Sequence, residues 1–312
     1  MISRMIKRSR TALASAAFTC FIFLLLPQWT RAAETALILS SNSPATQEIA
    51  RAFKKNFSAP FREINLEDNE EKLRQTGRVL EASPPALAVV VGDLAAQLAK
   101  WHLPNVPVVY CDAGYAHKIG LTAAKAVGIY HEPAPGDQLA GLRRVFPGKT
   151  RIGLLYAPGT AFLDVGPVQE QARAAGLTLL VAPLGSIKDV PGSYRRLAPQ
   201  VEVVWVFTDP VVLNNLSMQY IVLQSLTSGL PLFCGDLKLA RGGATAALVP
   251  DLADAGALAA RTAQQLLQGA ILAEPGSIIY PKGKLILNQK TAALVKITFP
   301  AEAVHQAFEV IQ

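Results

Sequence analysis

The chain is poor in the residues on which most site chemistry depends: of 312 residues only three are cysteine, four are histidine and 7% are aromatic. No Cys or His group falls at metal-ligand spacing, so a structural zinc site has no support and neither a metal nor another cofactor is expected. The sequence also lacks a G-x-S-x-G elbow, an H-E-x-x-H pair and a phosphate-binding glycine loop, the common signatures of hydrolases, metalloproteases and nucleotide-driven enzymes. For an enzyme there remains the thiol pair Cys111 and His131, which sequence spacing does not bring together; a buried, inert thiol is the competing reading.

A true excess of positive charge is missing as well. Arg4, Lys7, Arg8 and Arg10 precede "TALASAAFTCFIFLLL", an apolar run that ends before Pro27 and reads as the core of a secretory signal peptide over residues 1–32. Thr30 and Ala32 suit cleavage after Ala32, and a periplasmic location is expected. The run is shorter than the roughly 20 residues that span a bilayer, which counts against an uncleaved anchor. Cys20 lies inside it, not after a lipid-attachment box. The whole chain has 30 Lys plus Arg against 23 Asp plus Glu; residues 1–32 hold five of the basic residues and no acidic ones, leaving 25 against 23, a balance of +2. Such a near-neutral chain, with no basic stripe interleaved with aromatics, gives no reason to expect nucleic acid as a partner.

What the sequence does contain is a repeat. "VPVVYCDAG" at 106–114 returns as "LPLFCGDLK" at 230–238, "TALILSSNSP" at Thr35 as "TRIGLLYAPG" at Thr150, and "ALAVVVGDLAAQLA" as "VEVVWVFTDPVVLN". The offsets are 115 from Thr35 to Thr150, 116 from Asp93 to Asp209 and 124 from Asp112 to Asp236, so one duplicated unit, stretched before its last strand, accounts for all three. Cys111 and Cys234 end equivalent strands in different copies, which argues for two free thiols even in an oxidising compartment.

Within each copy, apolar runs alternate with helical patterns. In the first, "TALILS" leads into a helix capped by Ser43 with Pro44 at its first position, followed by "FREINL", "NEEKLRQTGRVLEA", "ALAVVVG", "DLAAQLAKW" and "VPVVYCD". The second runs through "RIGLLYA", "GPVQEQARAAG", "LTLLVAPL", "GSYRRLAP", "VEVVWVFT", a helix from "DPVVLNNLSMQYIVLQSLTSG", and "LPLFCGD". Wholly apolar strands alternating with helices predict α/β lobes, each a doubly wound, Rossmann-like parallel sheet, with ligands beyond the carboxyl ends of the strands.

Two such lobes, joined by "AVGIYHEPAPGDQLAGLRRVFPGKTRIGLLYAPGT" and followed by "FTDP", "RGGATAALVPDLADAGALAARTAQQLLQG" and "LILNQKTAALVKITFP", resemble the periplasmic substrate-binding proteins of ABC transporters. The nearer branch is related to tryptophan and tyrosine binders, and the order of the motifs carries the resemblance over almost the whole chain after residue 32. It implies a type I periplasmic binding protein fold with hinge crossings near Tyr130 to Glu132 and Val249 to Asp251. Lobe one would comprise 34–131 plus 252–272, and lobe two 132–250 plus 273–312. It also implies a monomer without catalysis, which captures a small-molecule ligand and presents it to an ABC transporter permease. A ligand-sensing protein that presents its ligand to a separate signalling receptor is the alternative.

The expected ligand-binding residues lie in the strand-to-helix loops. Ser41, Asn42 and Ser43 in one lobe, and Gly159 and Thr160 in the other, could hold an anion at a helix start; Ser43 is equally well read as a cap. The amino-acid binders usually carry an Asn-Ser-type pair where this chain has "APGTAFLD". Tyr156 and Phe162 could stack on a flat ligand, whereas Trp205 and Phe207 read as core. Tyr130 lies on a crossing. Gly92 and Asp93, and Asp209 before Pro210, fall where N-caps fall, so capping competes with ligand contact. Asp112 and Asp236 have no clear helix to cap, since "AGYAHK" and "LKLARGG" read as loops, and they are the preferred cleft-facing carboxylates.

Overall fold

The computed structural model describes residues 34–116, 118–121, 126–158, 164–207, 209, 211–270 and 277–312. The signal-peptide reading and the site calls at Gly159 and Thr160, with Phe162, lie outside the described residues.

The first copy runs β1 (Thr35–Leu39), α1 (Pro44–Asn56), β2 (Phe61–Asn65), α2 (Glu70–Ala82), β3 (Leu87–Val91), α3 (Asp93–His102), β4 (Val108–Cys111) and β5 (Ala126–Ile129). After α4 (Pro135–Val145), the second runs β6 (Arg151–Tyr156), α5 (Val165–Ala174), β7 (Thr178–Pro183), α6 (Val190–Leu197), β8 (Val203–Val206), α7 (Asn215–Ser228), β9 (Leu232–Cys234), α8 (Leu237–Arg241) and β10 (Ala246–Pro250). The remainder is α9 (Leu252–Leu267), β11 (Ile278–Ile279), β12 (Gly283–Asn288), α10 (Gln289–Leu294), α11 (Ala301–Gln306) and β13 (Glu309–Ile311).

Two sheets result, six-stranded in the order β11-β5-β4-β3-β1-β2 and seven-stranded in the order β13-β12-β10-β9-β8-β6-β7. The duplication is visible in the pairing: β5-β4-β3-β1-β2 and β10-β9-β8-β6-β7 are the same order, all parallel. Both sheets reverse strand order beside their first strand, and the crevice at such a point is where open α/β sheets bind ligands. Only β12 departs, pairing antiparallel with β10.

Strands buried on both faces need helices on both. On the first sheet, Leu37, Leu39, Val89, Val91, Val109 and Ile129 pack under α1 and α9, while Ala36, Ile38, Ala88, Val90 and Val108 pack under α2 and α3. Helix α1 follows from its sequence: the Ser43 side chain accepts from the Thr46 N–H at 3.1 Å, Pro44 opens the helix, and Ile49, Ala50 and Phe53 turn inward. In the second sheet Leu155, Val204, Val206 and Ala247 face α6, α7 and α8, and Ile152, Leu154, Val203 and Trp205 face α4, α5 and α11.

The lobes are linked where the chain passes between sheets. The segment after β5, the β10–α9 junction and the β11–β12 junction lie side by side: the Tyr130 N–H donates to Ile279 O at 2.8 Å, and the Asp251 N–H to Lys282 O at 2.7 Å. One assignment is corrected here. Residues 277–279 do not go with lobe two, because β11 pairs in parallel with β5 of the first sheet. This third crossing lies at Tyr280 to Lys282, and a two-residue strand carries no periodicity by which the sequence could announce it.

Candidate functional site

Ser40, at the end of β1, accepts from the Ala95 N–H at 2.9 Å and ties the start of α3 to that strand. Ser41 Oγ accepts from the Ser43 N–H at 3.2 Å, and Ser43 Oγ donates to Thr46 Oγ1 at 2.9 Å, so both hydroxyls are engaged in the α1 cap. Asn42 turns to the sheet edge, where its Oδ1 accepts from Asn65 at 2.8 Å and Gln47 at 3.3 Å. The side chains of this trio are therefore committed locally.

The capping readings of two aspartates change. Gly92 is the N-cap of α3, with a φ of 88° that glycine adopts freely. Asp93 sits one residue inside the helix, and its Oδ1 accepts from the Tyr115 N–H at 2.9 Å, pinning the turn after β4. Asp209 does not cap α7, a role that Asn214 takes through the Ser217 N–H at 3.0 Å. Fully buried, Asp209 accepts from Ala157 N–H at 2.7 Å with one oxygen and from Val211 N–H at 2.7 Å with the other, joining the loops after β6 and β8. Asp209→Ala removes the acceptor that joins the Ala157 and Val211 amides, and equilibrium urea unfolding is expected to show a loss of about 2 kcal/mol.

Asp236 has a helix after all: "LKLAR" forms α8, and Asp236 Oδ1 accepts from the Leu239 N–H at 2.6 Å. Asp112 has none. It leaves β4 with φ 52°, in the left-handed region, and its half-buried carboxylate accepts no hydrogen bond among the described residues. The two carboxylates belong to different sheets, yet they lie close enough for the charge of Asp236 to act on Asp112. Burial, then Asp93, then Asp236 push the Asp112 carboxyl up to about 7. Burial also raises Asp93 and Asp236, each partly offset by the amides it accepts from.

Three further groups lie at the crossings. Glu132, fully buried, accepts from Gln138 Nε2 at 2.9 Å, and Gln138 Oε1 in turn accepts from Trp205 Nε1 at 3.0 Å. A Cβ on Gly235 would stand 2.6 Å from the Glu132 carboxyl carbon, so only glycine lets this carboxylate lie against the backbone there. Tyr130 packs edge-on to Tyr280 at 5.4 Å and stacks with Phe207 at 6.2 Å. Tyr110 is 3% exposed, its hydroxyl has no hydrogen-bond partner among the described residues, and burial followed by Tyr280 pushes it up to about 12. The glycine in "FCGD" was the one signal in the sequence for Glu132; Tyr110 and Tyr280 had none.

Tyr156 is half-buried at the end of β6, against the cluster that holds Phe207, and Trp205 and Phe207 are fully buried. Cys111 and Cys234 are buried free thiols. Burial, and next the charge of Asp112, hold the Cys111 thiol well above its usual range, while burial lowers His131 to about 4. At neutral pH the thiol is protonated and the imidazole neutral, so the two do not form an activated pair. Among the described residues no group of three or more His, Cys, Asp or Glu could hold a metal ion, and no helix is long and apolar enough to cross a membrane.

The fold has solved counterparts. The ABC domain of Streptococcus pneumoniae in complex with L-Trp superposes with a TM-score of 0.61 at 20% identity, over 89% of this chain and 99% of that one. CD0873, a substrate binding protein with adhesive properties from Clostridium difficile, gives 0.63 at 15% identity, over 90% and 99%. GanP, a glucose-galactose binding protein from Geobacillus stearothermophilus, gives 0.51 at 14%, over 82% and 97%. At such identities the likeness speaks for the fold, here the type I periplasmic binding arrangement. No curated protein matches the chain in sequence. The family is fixed by a model that covers residues 53–311: the chain belongs to the ABC transporter substrate binding protein family.

Proposed function

We propose that this protein captures one small molecule between its two lobes outside the cytoplasm and hands it, as a monomer and without chemistry, to an ABC import permease. Membership of a solute-binding family supports the reading, and the observation that carries it is that Asp112 and Asp236, equivalent strand-end residues of the two copies, lie close enough for the charge of Asp236 to reach Asp112. Asp93, Tyr130 and Tyr156 would complete the contact surface. Ser41, Asn42, Ser43, Gly92 and Asp209 would hold the loops that shape it. Closure takes the facing carboxylates out of water, so it needs a donor from the ligand between them.

A thermal-shift screen over amino acids, amines, carboxylates, nucleosides and sugars tests the binding step. A true ligand at 100 times its dissociation constant adds roughly 2.7 kcal/mol of stability, a rise of several degrees. A screen in which no class moves the transition would remove the solute-receptor reading.

A further inference from the structure

Helix α7 is built differently from its counterpart in the first copy. In α3, Asp93 accepts from the Tyr115 N–H at 2.9 Å and Lys100 Nζ donates to Gly120 O at 2.9 Å, so charged side chains fasten the segment after β4 to the helix. Over Asn215–Ser228, α7 carries no charged residue at all. It turns Met218, Ile221 and Ser225 inward, and still leaves Leu216 and Leu223 exposed at 73% and 56%. Apolar surface therefore remains on α7 after the sheet beneath it is covered.

That surface is shaped. A groove of about 400 Å³ lies between α7 and α8, lined by Met218, Val222, Leu223 and Leu226 from the first and by Lys238 and Leu239 from the second. With Asn215 and Gln219, the α7 residues recur at intervals of three and four, the spacing of one helix face, so the groove follows α7 for three turns, about 16 Å. The return after α8 packs against the same wall: Gly243 has a φ of 126°, and a Cβ there would stand 2.8 Å from Val222 Cγ1. An apolar stripe of this length beside a second short helix has the form of a helix-in-groove contact.

Charge and position select the helix that fits. Among the described residues that line the groove, Lys238 alone is charged. It makes no ion pair among the described residues; its field reaches Asp236, and its Nζ donates to Asn215 Oδ1 at 3.1 Å, at the start of α7. Arg241, on the last turn of α8, is already paired with Glu309 at 3.0 Å. The Lys238 end of the groove is the ligand side of the sheet, because α8 follows directly on Asp236 beyond the carboxyl end of β9 and α7 starts beyond that of β8. A partner that receives the ligand has to approach from that side.

Resting on the solute-receptor reading, we propose that this groove seats the permease through an amphipathic helix with acidic flanks. Its apolar side chains, at i, i+3 or i+4 and i+7, lie over Met218, Val222, Leu223 and Leu226, and an Asp or Glu at one end meets Lys238. The uncharged α7 wall repels neither partner sign, so Lys238 sets the orientation. Both walls belong to lobe two, so closure of the lobes leaves the groove as it is.

Photo-cross-linking tests this. The exported protein carrying Leu223→Cys is labelled with a benzophenone maleimide, for which the buried Cys111 and Cys234 do not compete, and is irradiated with membranes of the source organism. Val79→Cys, at a position 60% exposed on α2 of the other lobe, is the control. The expected adduct, identified by peptide mass spectrometry, is the membrane-spanning subunit of an ABC transporter joined through an acidic amphipathic segment, at least fivefold more abundant from Leu223→Cys than from Val79→Cys. Adding Lys238→Glu should cut the yield at least fivefold while the protein still melts cooperatively. An adduct with a second copy of this chain, with lipid or with any other protein overturns the proposal, as does a yield that Lys238→Glu leaves unchanged. A protein that a ligand stabilises in the thermal-shift screen but that gives no Leu223→Cys adduct keeps the receptor function and loses the docking surface; failure of both removes the function too.

Discussion

Asp112→Asn is expected to raise the melting temperature of the empty protein by several degrees at pH 8 and to leave it unchanged at pH 4. Burial, Asp93 and Asp236 push this carboxyl up to about 7 in the folded chain, whereas an unfolded Asp titrates near 3.9. Below about pH 4 it is protonated in both states and costs nothing. As pH rises toward 7 the unfolded chain gives up its proton and the folded chain keeps it; the folded state then binds more protons, and stability falls with pH. Above about 7 the penalty is complete. A shift of about three units corresponds to roughly 4 kcal/mol, which partial exposure to water reduces to about 2. Asn tolerates the left-handed backbone at φ 52° as well as Asp does, so the exchange isolates the charge. Urea unfolding of both proteins between pH 4 and 8 gives the measurement, and a pH-independent difference would mean that Asp112 is fully hydrated.

Gly256→Ala is expected to lower stability by about 3 kcal/mol and the melting temperature by roughly 10 °C, and Gly256→Val to leave the first lobe unable to form. Gly256 lies where α9 crosses α1. A Cβ there would run into the Ile49 carbonyl oxygen and stand 2.7 Å from Ala52 Cβ and 3.0 Å from Phe53 N. Two of these three obstacles are backbone, which has no rotamer by which to withdraw. The helices must part, and Ala255, Ala259, Ala260 and Ala263 lose contact with the sheet beneath. Alanine's better helix propensity, worth about 1 kcal/mol, does not offset this. Scanning calorimetry decides it; a Gly256→Ala protein as stable as the parent would show that the two helices are free to slide apart.

The elements built on a repeating pattern could be read from the sequence. Ser43, Pro44 and the spacing of Ile49 and Phe53 mark α1 in the sequence, and central strands such as β3 and β4 are apolar throughout because both faces are covered. What stayed illegible depends on single residues at element ends. At Asp93 the glycine before it takes the cap, which frees the carboxylate for the turn at Tyr115; at Asp209, Asn214 caps the helix five residues later. Helix α8 has five residues, too few to show a period, so Asp236 read as a loop residue. The equivalence of Asp112 and Asp236 was visible as a repeated motif. The place of Glu132 against Gly235 was not, because its neighbours come from the end of β9, remote in sequence.

The borrowed strand β11 and the covering helix α9 also set the order in which the protein can come to exist. During synthesis, β1 to β5 emerge long before the residues that roof them, and Leu37, Leu39, Val89, Val91 and Val109 have only α1 over them until Ala255 to Ala263 leave the ribosome. The edge of β5 stays unpaired until Ile278 and Ile279 follow. A nascent chain that has made the whole first copy therefore still holds an incomplete lobe, with apolar surface available to chaperones and to neighbouring chains. The first lobe cannot be finished until most of the second has been made, and folding waits for the late part of translation.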